Sequence, residues 1–151
     1  MDEAPVAVFV YGTLKRGERN FGVSQQAGWL RSEEGWLEGF QLFHIPRRER
    51  LSYSYPAIVE GEGVVWGEVQ WFADLGAALK TLDVLEDEGN EYLCIQAEAH
   101  LGGTLEHHGF EKGRTVKVWT YVYPDQDAII RARGIPVPDG VWREADLWAI
   151  E

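Results

Sequence analysis

The chain is poor in the groups on which several protein classes depend. It holds one cysteine in 151 residues, Cys94, so no internal disulfide can form, which suits a reducing cytoplasm. Basic side chains are scarce: 14 Lys and Arg stand against 25 Asp and Glu, a formal net charge of −11. Binding to a phosphate backbone or an anionic membrane draws on Lys and Arg, so neither nucleic acid nor a membrane surface is an expected partner. No apolar run approaches the roughly 20 residues that span a bilayer. The first residues, Met1-Asp2-Glu3-Ala4-Pro5, are acidic where a secretory leader is basic. Four histidines offer little to a metal: His107 and His108 are adjacent, an arrangement that rarely serves one ion, and zinc takes three or four ligands. What the chain does have is a globular balance, 45% hydrophobic and 26% charged, with 7 Trp, 6 Tyr and 6 Phe. Its length suits one domain over 1–151 with its own core. A cytoplasmic, soluble protein is the expectation.

The pattern predicts mostly strands. Val6-Ala7-Val8-Phe9-Val10-Tyr11 is a β-branched apolar run ending at Gly12, the signature of a buried strand. A polar turn follows over Thr13–Gly17, then a short helix near Arg19–Ala27. Aromatic and aliphatic residues recur in a broken alternation from Gly35 to Ile45, with Gly39 marking a bulge. Ala57–Glu60 and Val64–Phe72 read as the arms of a hairpin turned by Gly61-Glu62-Gly63. A helix is predicted from Asp74, as N-cap, to about Asp87. Leu93, Ile95, Ala97, Ala99 and Leu101 then alternate with Tyr92, Cys94, Gln96, Glu98 and His100, and Val116, Val118, Thr120 and Val122 resume the period after a polar loop. These two strands are expected to pair antiparallel. A turn at Pro136-Val137-Pro138-Asp139-Gly140 precedes Trp142. Six or so strands with two substantial helices indicate an α+β fold, a small mixed, strongly bent β-sheet or β-barrel, and not a doubly wound parallel sheet.

One carboxylate is placed against the pattern. On a wheel of about 100° per residue with Leu75 at zero, Ala78, Leu79, Leu82 and Leu85 fall between about −80° and +40°. Glu86 falls at about +20°, inside the apolar stripe, whereas Lys80, Asp83 and Asp87 point elsewhere. A carboxylate aimed at a core must pair, accept hydrogen bonds or protonate. Desolvation would raise its pKa into the range where a group takes and returns a proton efficiently. The alternatives are a helix that frays before Glu86, or an arginine partner elsewhere in the fold.

The turn Tyr11-Gly12-Thr13-Leu14-Lys15-Arg16-Gly17 could present backbone N–H groups to an anion. It is not a Walker loop, since Lys15 is followed by Arg16, and it lacks the three spaced glycines of a dinucleotide fingerprint. By itself it reads first as a plain turn.

Val8-Phe9-Val10-Tyr11-Gly12-Thr13-Leu14-Lys15-Arg16-Gly17, with Asn20 after it, resembles the opening signature of the gamma-glutamylcyclotransferase-like proteins. The likeness is greatest to the branch of gamma-glutamylamine cyclotransferase and the AIG2-like proteins. Further matches follow in order: Tyr55-Pro56-Ala57-Ile58-Val59, Val65-Trp66-Gly67-Glu68-Val69, Leu82-Asp83-Val84-Leu85-Glu86 with Tyr92, Trp119-Thr120-Tyr121-Val122, and Gly140-Val141-Trp142. They span roughly residues 6–148. The chain departs from the family at Cys94, where a basic residue is common.

The resemblance implies a small mixed barrel with packed helices and an enzyme that releases 5-oxoproline and a free amine from a γ-glutamyl amine or amide. It places the catalytic acid/base at Glu86 and substrate contacts at Tyr11, Gly12, Thr13, Leu14, Tyr92 and Tyr121. The reaction it implies needs no cofactor and no metal, and the partner is a small γ-glutamyl molecule. The other reading is a non-catalytic small-molecule binding or accessory protein on the same fold. Cys94 in a strand is expected to act as a small buried hydrophobe.

Overall fold

A computed structural model describes residues 4–46, 55–86, 92–101 and 114–143, with only the backbone at 85 and 86. The elements run β1 (Ala7–Val10), α1 (Phe21–Gln26), β2 (Trp29–Ile45), β3 (Tyr55–Phe72), α2 (Leu75–Glu86), β4 (Leu93–Leu101), β5 (Thr115–Val122), α3 (Gln126–Arg131) and β6 (Ile135–Pro136). The sheet order is β3-β1-β5-β4-β2-β6, and β2 also pairs with β3. Five strands therefore close into a barrel, with β6 added outside on β2. Closure leaves few unpaired strand edges. All pairings are antiparallel except β1 with β5, where Ala7 lies beside Val118 and Val8 beside Trp119.

The continuous apolar character of β1 has a physical cause. It is paired on both sides and covered on both faces, so neither side chain parity meets water. Ala7 and Phe9 join Leu37, Ile58, Val69, Leu101 and Val118 in a core drawn from all five barrel strands. Val8 and Val10 face the other way, into a second core with Ala78 and Leu82 of α2 and Ile129 of α3. Helix α2 begins as its sequence indicates, with Asp74 Oδ1 accepting from Ala77 N at 3.0 Å. Its stripe is also as expected where side chains are described: Ala78 and Leu82 are fully buried, and Val84, off the stripe, is 83% exposed. The β4–β5 pair is antiparallel as expected, with Cys94 opposite Tyr121 and Ala97 opposite Val118.

Two expectations need correction. Gly61-Glu62-Gly63 is not a hairpin turn: β3 runs through it unbroken and pairs with β2 along nearly its whole length. The register passes from Glu38 opposite Val64 to Phe40 opposite Glu60, so Gly39 faces an excess of residues on β3. The glycines serve close approach instead of reversal. A Cβ on Gly63 would lie 2.8 Å from Phe40 O, and one on Gly61 2.6 Å from Gln41 Oε1. The expected irregularity does fall here, with Gly39 at φ of +86° and the extra residues on β3. The second correction is α3, unread in the tail, which Asp125 caps by accepting from Ala128 N at 2.9 Å. The polar loop at 102–113, with His107 and His108, lies outside the described residues, as do Asp87 and Glu88.

After α3 the chain straps across the barrel. Trp66 N donates to Gly140 O at 2.8 Å, and Trp142 is fully buried with its indole N–H donating to His44 Nδ1 at 3.1 Å. Among the described residues, no helix is long and apolar enough to cross a membrane.

The bulge gives a clean test of backbone strain. Space around the Gly39 Cβ position is open to 4 Å, so Gly39→Ala incurs only the conformational cost of a positive φ. The expected loss is about 1–2 kcal/mol, seen as a melting temperature lower by roughly 2–8 °C in thermal denaturation.

Candidate active site

The turn that leaves β1 is tied down from the side away from its cleft. Each of its first three carbonyls has a donor: Gly12 O takes Lys15 N at 3.1 Å, Thr13 O takes Asn20 N at 2.8 Å, and Leu14 O takes Gln70 Nε2 at 3.0 Å. Asn20 makes a second bond, Nδ2 to Thr13 Oγ1 at 3.2 Å. The donors and acceptors beneath the turn come from β3. Glu68 accepts from Arg16 N at 3.0 Å, Arg16 Nε at 3.1 Å and Gln70 Nε2 at 3.2 Å. Gln70, fully buried, is satisfied at its oxygen by Ser24 Oγ of α1 at 2.8 Å. Buried polar groups persist only when paired in this way. Strand alternation explains why the two act together: residues two apart share a face.

Lys15 adds a third anchor. Its ammonium is buried at 7% exposure and donates to the backbone oxygen of Trp142 at 2.5 Å, joining the turn to the strap. Desolvation pushes its pKa below the usual lysine value; Glu18 opposes the shift, Arg143 reinforces it, and Glu68 and Glu34 oppose it more weakly.

The turn forms one wall of a cleft holding about 360 Å³ of free space, its open mouth included. Tyr11, Gly12, Thr13 and Leu14 line it together with Tyr55, Pro56, Tyr92 and Tyr121. The six residues expected to touch substrate are therefore brought together in one place. Gly12 is there because nothing larger fits: a Cβ would lie 2.0 Å from Pro56 Cγ. The phenols are fixed by donating inward. Tyr11 Oη donates to Tyr121 O at 2.5 Å, Tyr92 Oη to Pro56 O, and Tyr121 Oη to Asp83 Oδ1 at 2.5 Å. Behind them Tyr123 Oη donates to Tyr55 Oη at 3.2 Å, and the Tyr92 and Tyr123 rings meet edge to face at 5.0 Å. Cys94 is half-buried and packs against the core containing Tyr92 and Tyr121.

Glu86 is the last residue of α2, four positions on from buried Leu82; its carboxylate lies outside the described side chains. Asp83, read as pointing elsewhere, instead reaches Tyr121 from the helix flank. The wheel measures direction from the Leu75 stripe alone and takes no account of a long phenol reaching out to meet the helix. Sequence reasoning also left Glu68 and Gln70 without a role. Their signal was present as two polar side chains on one face of a strand otherwise rich in valine. Among the described residues, no group of three or more His, Cys, Asp or Glu is placed to hold a metal ion.

The chain is similar to several known proteins in sequence and in fold. The sequence profile described as "Gamma-glutamyl cyclotransferase, AIG2-like" matches residues 8–144. A Vibrio cholerae protein named "Putative gamma-glutamylcyclotransferase" is 31% identical over 118 residues, 78% of this chain and 82% of that protein. "Gamma-L-glutamyl-butirosin B gamma-glutamyl cyclotransferase" of Niallia circulans is 31% identical over 120 residues, 80% of this chain and 68% of that protein. In structure, an AIG2-like protein from Mus musculus superposes with a TM-score of 0.59 at 24% identity, over 81% of this chain and 79% of its own.

The Lys15 anchor has a pH signature. Below its folded pKa the buried ammonium carries a desolvation cost; as pH rises toward 10.5 the folded protein releases the proton before the unfolded chain does. Stability attributable to Lys15 therefore rises with pH across the alkaline range. Denaturant unfolding of the natural protein and of Lys15→Met, compared from pH 7 to 10.5, should show the difference moving in favour of the natural protein.

Proposed function

The chain belongs to the gamma-glutamyl cyclotransferase, AIG2-like family, and from that premise we propose that it cleaves a γ-glutamyl amine or amide by internal cyclisation. The substrate's α-amine attacks its own γ-carbonyl; the new N–C bond closes a five-membered lactam and the original amide C–N bond breaks. The products are 5-oxoproline and a free amine. Because nucleophile and electrophile belong to one molecule, the protein's main task is to hold the substrate folded, an effect that can supply roughly 7–11 kcal/mol.

The observation that carries the reading is the cleft itself. Tyr11, Gly12, Thr13, Leu14, Tyr92 and Tyr121 line a single hollow beside the turn after β1. With the carbonyls of Gly12, Thr13 and Leu14 engaged elsewhere, the N–H groups of the same turn would hold the substrate α-carboxylate or the oxygen of the attacked carbonyl. Glu86 takes one proton from the α-ammonium, freeing the lone pair for attack; the same nitrogen gives up a second as the lactam forms, and both protons leave on the departing amine as its ammonium. One carboxylate performs both transfers, and acid–base catalysis of this kind contributes about 10²–10⁴-fold. The name of the Niallia circulans relative supports a γ-glutamyl donor carrying a large leaving group.

The test is incubation with a panel of γ-glutamyl amines and γ-glutamyl amino acids, with 5-oxoproline measured by mass spectrometry. Release from at least one of them is expected, and Glu86→Gln should lower kcat by about 10²–10⁴-fold while leaving the circular dichroism spectrum unchanged. Full turnover by Glu86→Gln would remove it from the mechanism.

A further inference from the structure

We propose that Asp83 is a positioning residue that makes the cleft selective for a ligand bearing a free ammonium, by fixing the Tyr121 phenol as a hydrogen-bond acceptor. A phenol has one proton. Tyr121 gives its proton to Asp83 Oδ1 at 2.5 Å, Tyr11 gives its own to Tyr121 O at 2.5 Å, and Tyr92 gives its own to Pro56 O. The last two acceptors are backbone carbonyls, which cannot donate, so the direction of those bonds is set by chemistry. Asp83, when ionised, likewise only accepts. Three residues that line the cleft thus have their phenol protons committed, and any further group meeting those oxygens must donate.

Phenol oxygens set in this way favour an ammonium and disfavour a carbonyl or a carboxylate. The turn has the opposite character if its N–H groups point at the ligand. Together they would orient a zwitterion, with the carboxylate on the turn and the ammonium toward the phenols. Tyr121 differs from its neighbours in one respect that gives Asp83 its role. Tyr11 and Tyr92 donate to main-chain oxygens of the barrel strands, whereas Tyr121 depends on a side chain carried by α2. Removing Asp83 takes away the acceptor that holds the Tyr121 proton, so the hydroxyl can turn and donate elsewhere, and the selectivity at that point is lost. Asp83 lies three residues before Glu86 on the same helix, so the bond also ties the helix to the cleft wall.

The inference rests on the γ-glutamyl reading, and the test separates the two. L-Glutamate and glutarate share a carbon skeleton and differ in the α-ammonium; their binding to the natural protein, Asp83→Ala and Tyr121→Phe is compared by calorimetry, with 5-oxoproline release measured in parallel. The natural protein should prefer L-glutamate by at least about 10-fold, the scale of a hydrogen bond to a charged group. Asp83→Ala should reduce that preference at least about fivefold while glutarate affinity stays within about twofold, a split that general loosening of the cleft would not produce. Tyr121→Phe keeps the ring, removes the oxygen and should act alike, and the double variant should be no worse than either single one. If Asp83→Ala fails to fold, Tyr121→Phe decides the question. A preference that survives in the folded variants, or parallel weakening of both ligands, overturns the role of Asp83 and leaves the γ-glutamyl reading intact. A natural protein that binds neither diacid and releases no 5-oxoproline overturns both.

Discussion

Glu68 and Gln70 are buried polar side chains on a strand that otherwise packs valines, and the turn after β1 is seated on them. Their hydrogen bonds fix the main chain of Leu14 and Arg16, and Ser24 completes the network from α1. In a low-dielectric interior a satisfied network is rigid, whereas a partly satisfied one is costly, so the turn has one well-defined conformation. Lys15 extends the same constraint to the strap at Trp142, whose indole in turn engages His44. One connected set of polar contacts therefore runs from α1, beneath the turn, to the far end of the chain. The cleft inherits its shape from that set.

The barrel provides the rest of the geometry at little cost in specialised residues. Strand β1 is paired on both sides and buried on both faces, so the turn at its end projects from a firmly held element. Closure of β2 on β3 brings Tyr55 and Pro56 to the opposite lip, and Gly12 lets the lips approach. Helix α2 packs on the outer face of the strands through Ala78 and Leu82, so its C-terminal turn arrives beside the phenols. For the proposed cyclisation, in which the substrate brings its own nucleophile, such a mould is much of what is required, since positioning can supply roughly 7–11 kcal/mol.

Much of this was legible in the sequence, and the exceptions share a cause. The buried strand at 7–10, the Asp74 cap, the antiparallel β4–β5 pair and the irregularity at Gly39 are each written in local periodicity or local turn chemistry. The six cleft residues came from the resemblance carried by short motifs, and they converge. The misread features depend on what lies across the fold. Gly61 and Gly63 carry the same sequence mark whether a chain reverses or another strand presses close. Asp83 looks solvent-directed until the reach of Tyr121 is known, and Glu68 and Gln70 gain meaning only when the turn is laid over them. Helix α3, six residues long, is too short for periodicity to reveal, and its one local mark is the capping Asp125.

The central claim is that the main-chain N–H groups of the turn, backed by buried β3 side chains, are the ligand-binding surface of this protein. The direct measurement is a titration of ¹⁵N-labelled protein with L-glutamate, following amide shifts residue by residue. The account predicts that the largest shifts fall at Gly12, Thr13 and Leu14. Unmoved signals there, with the shifts gathered instead along the separate groove by Phe40, Gly63 and Val137, would contradict it.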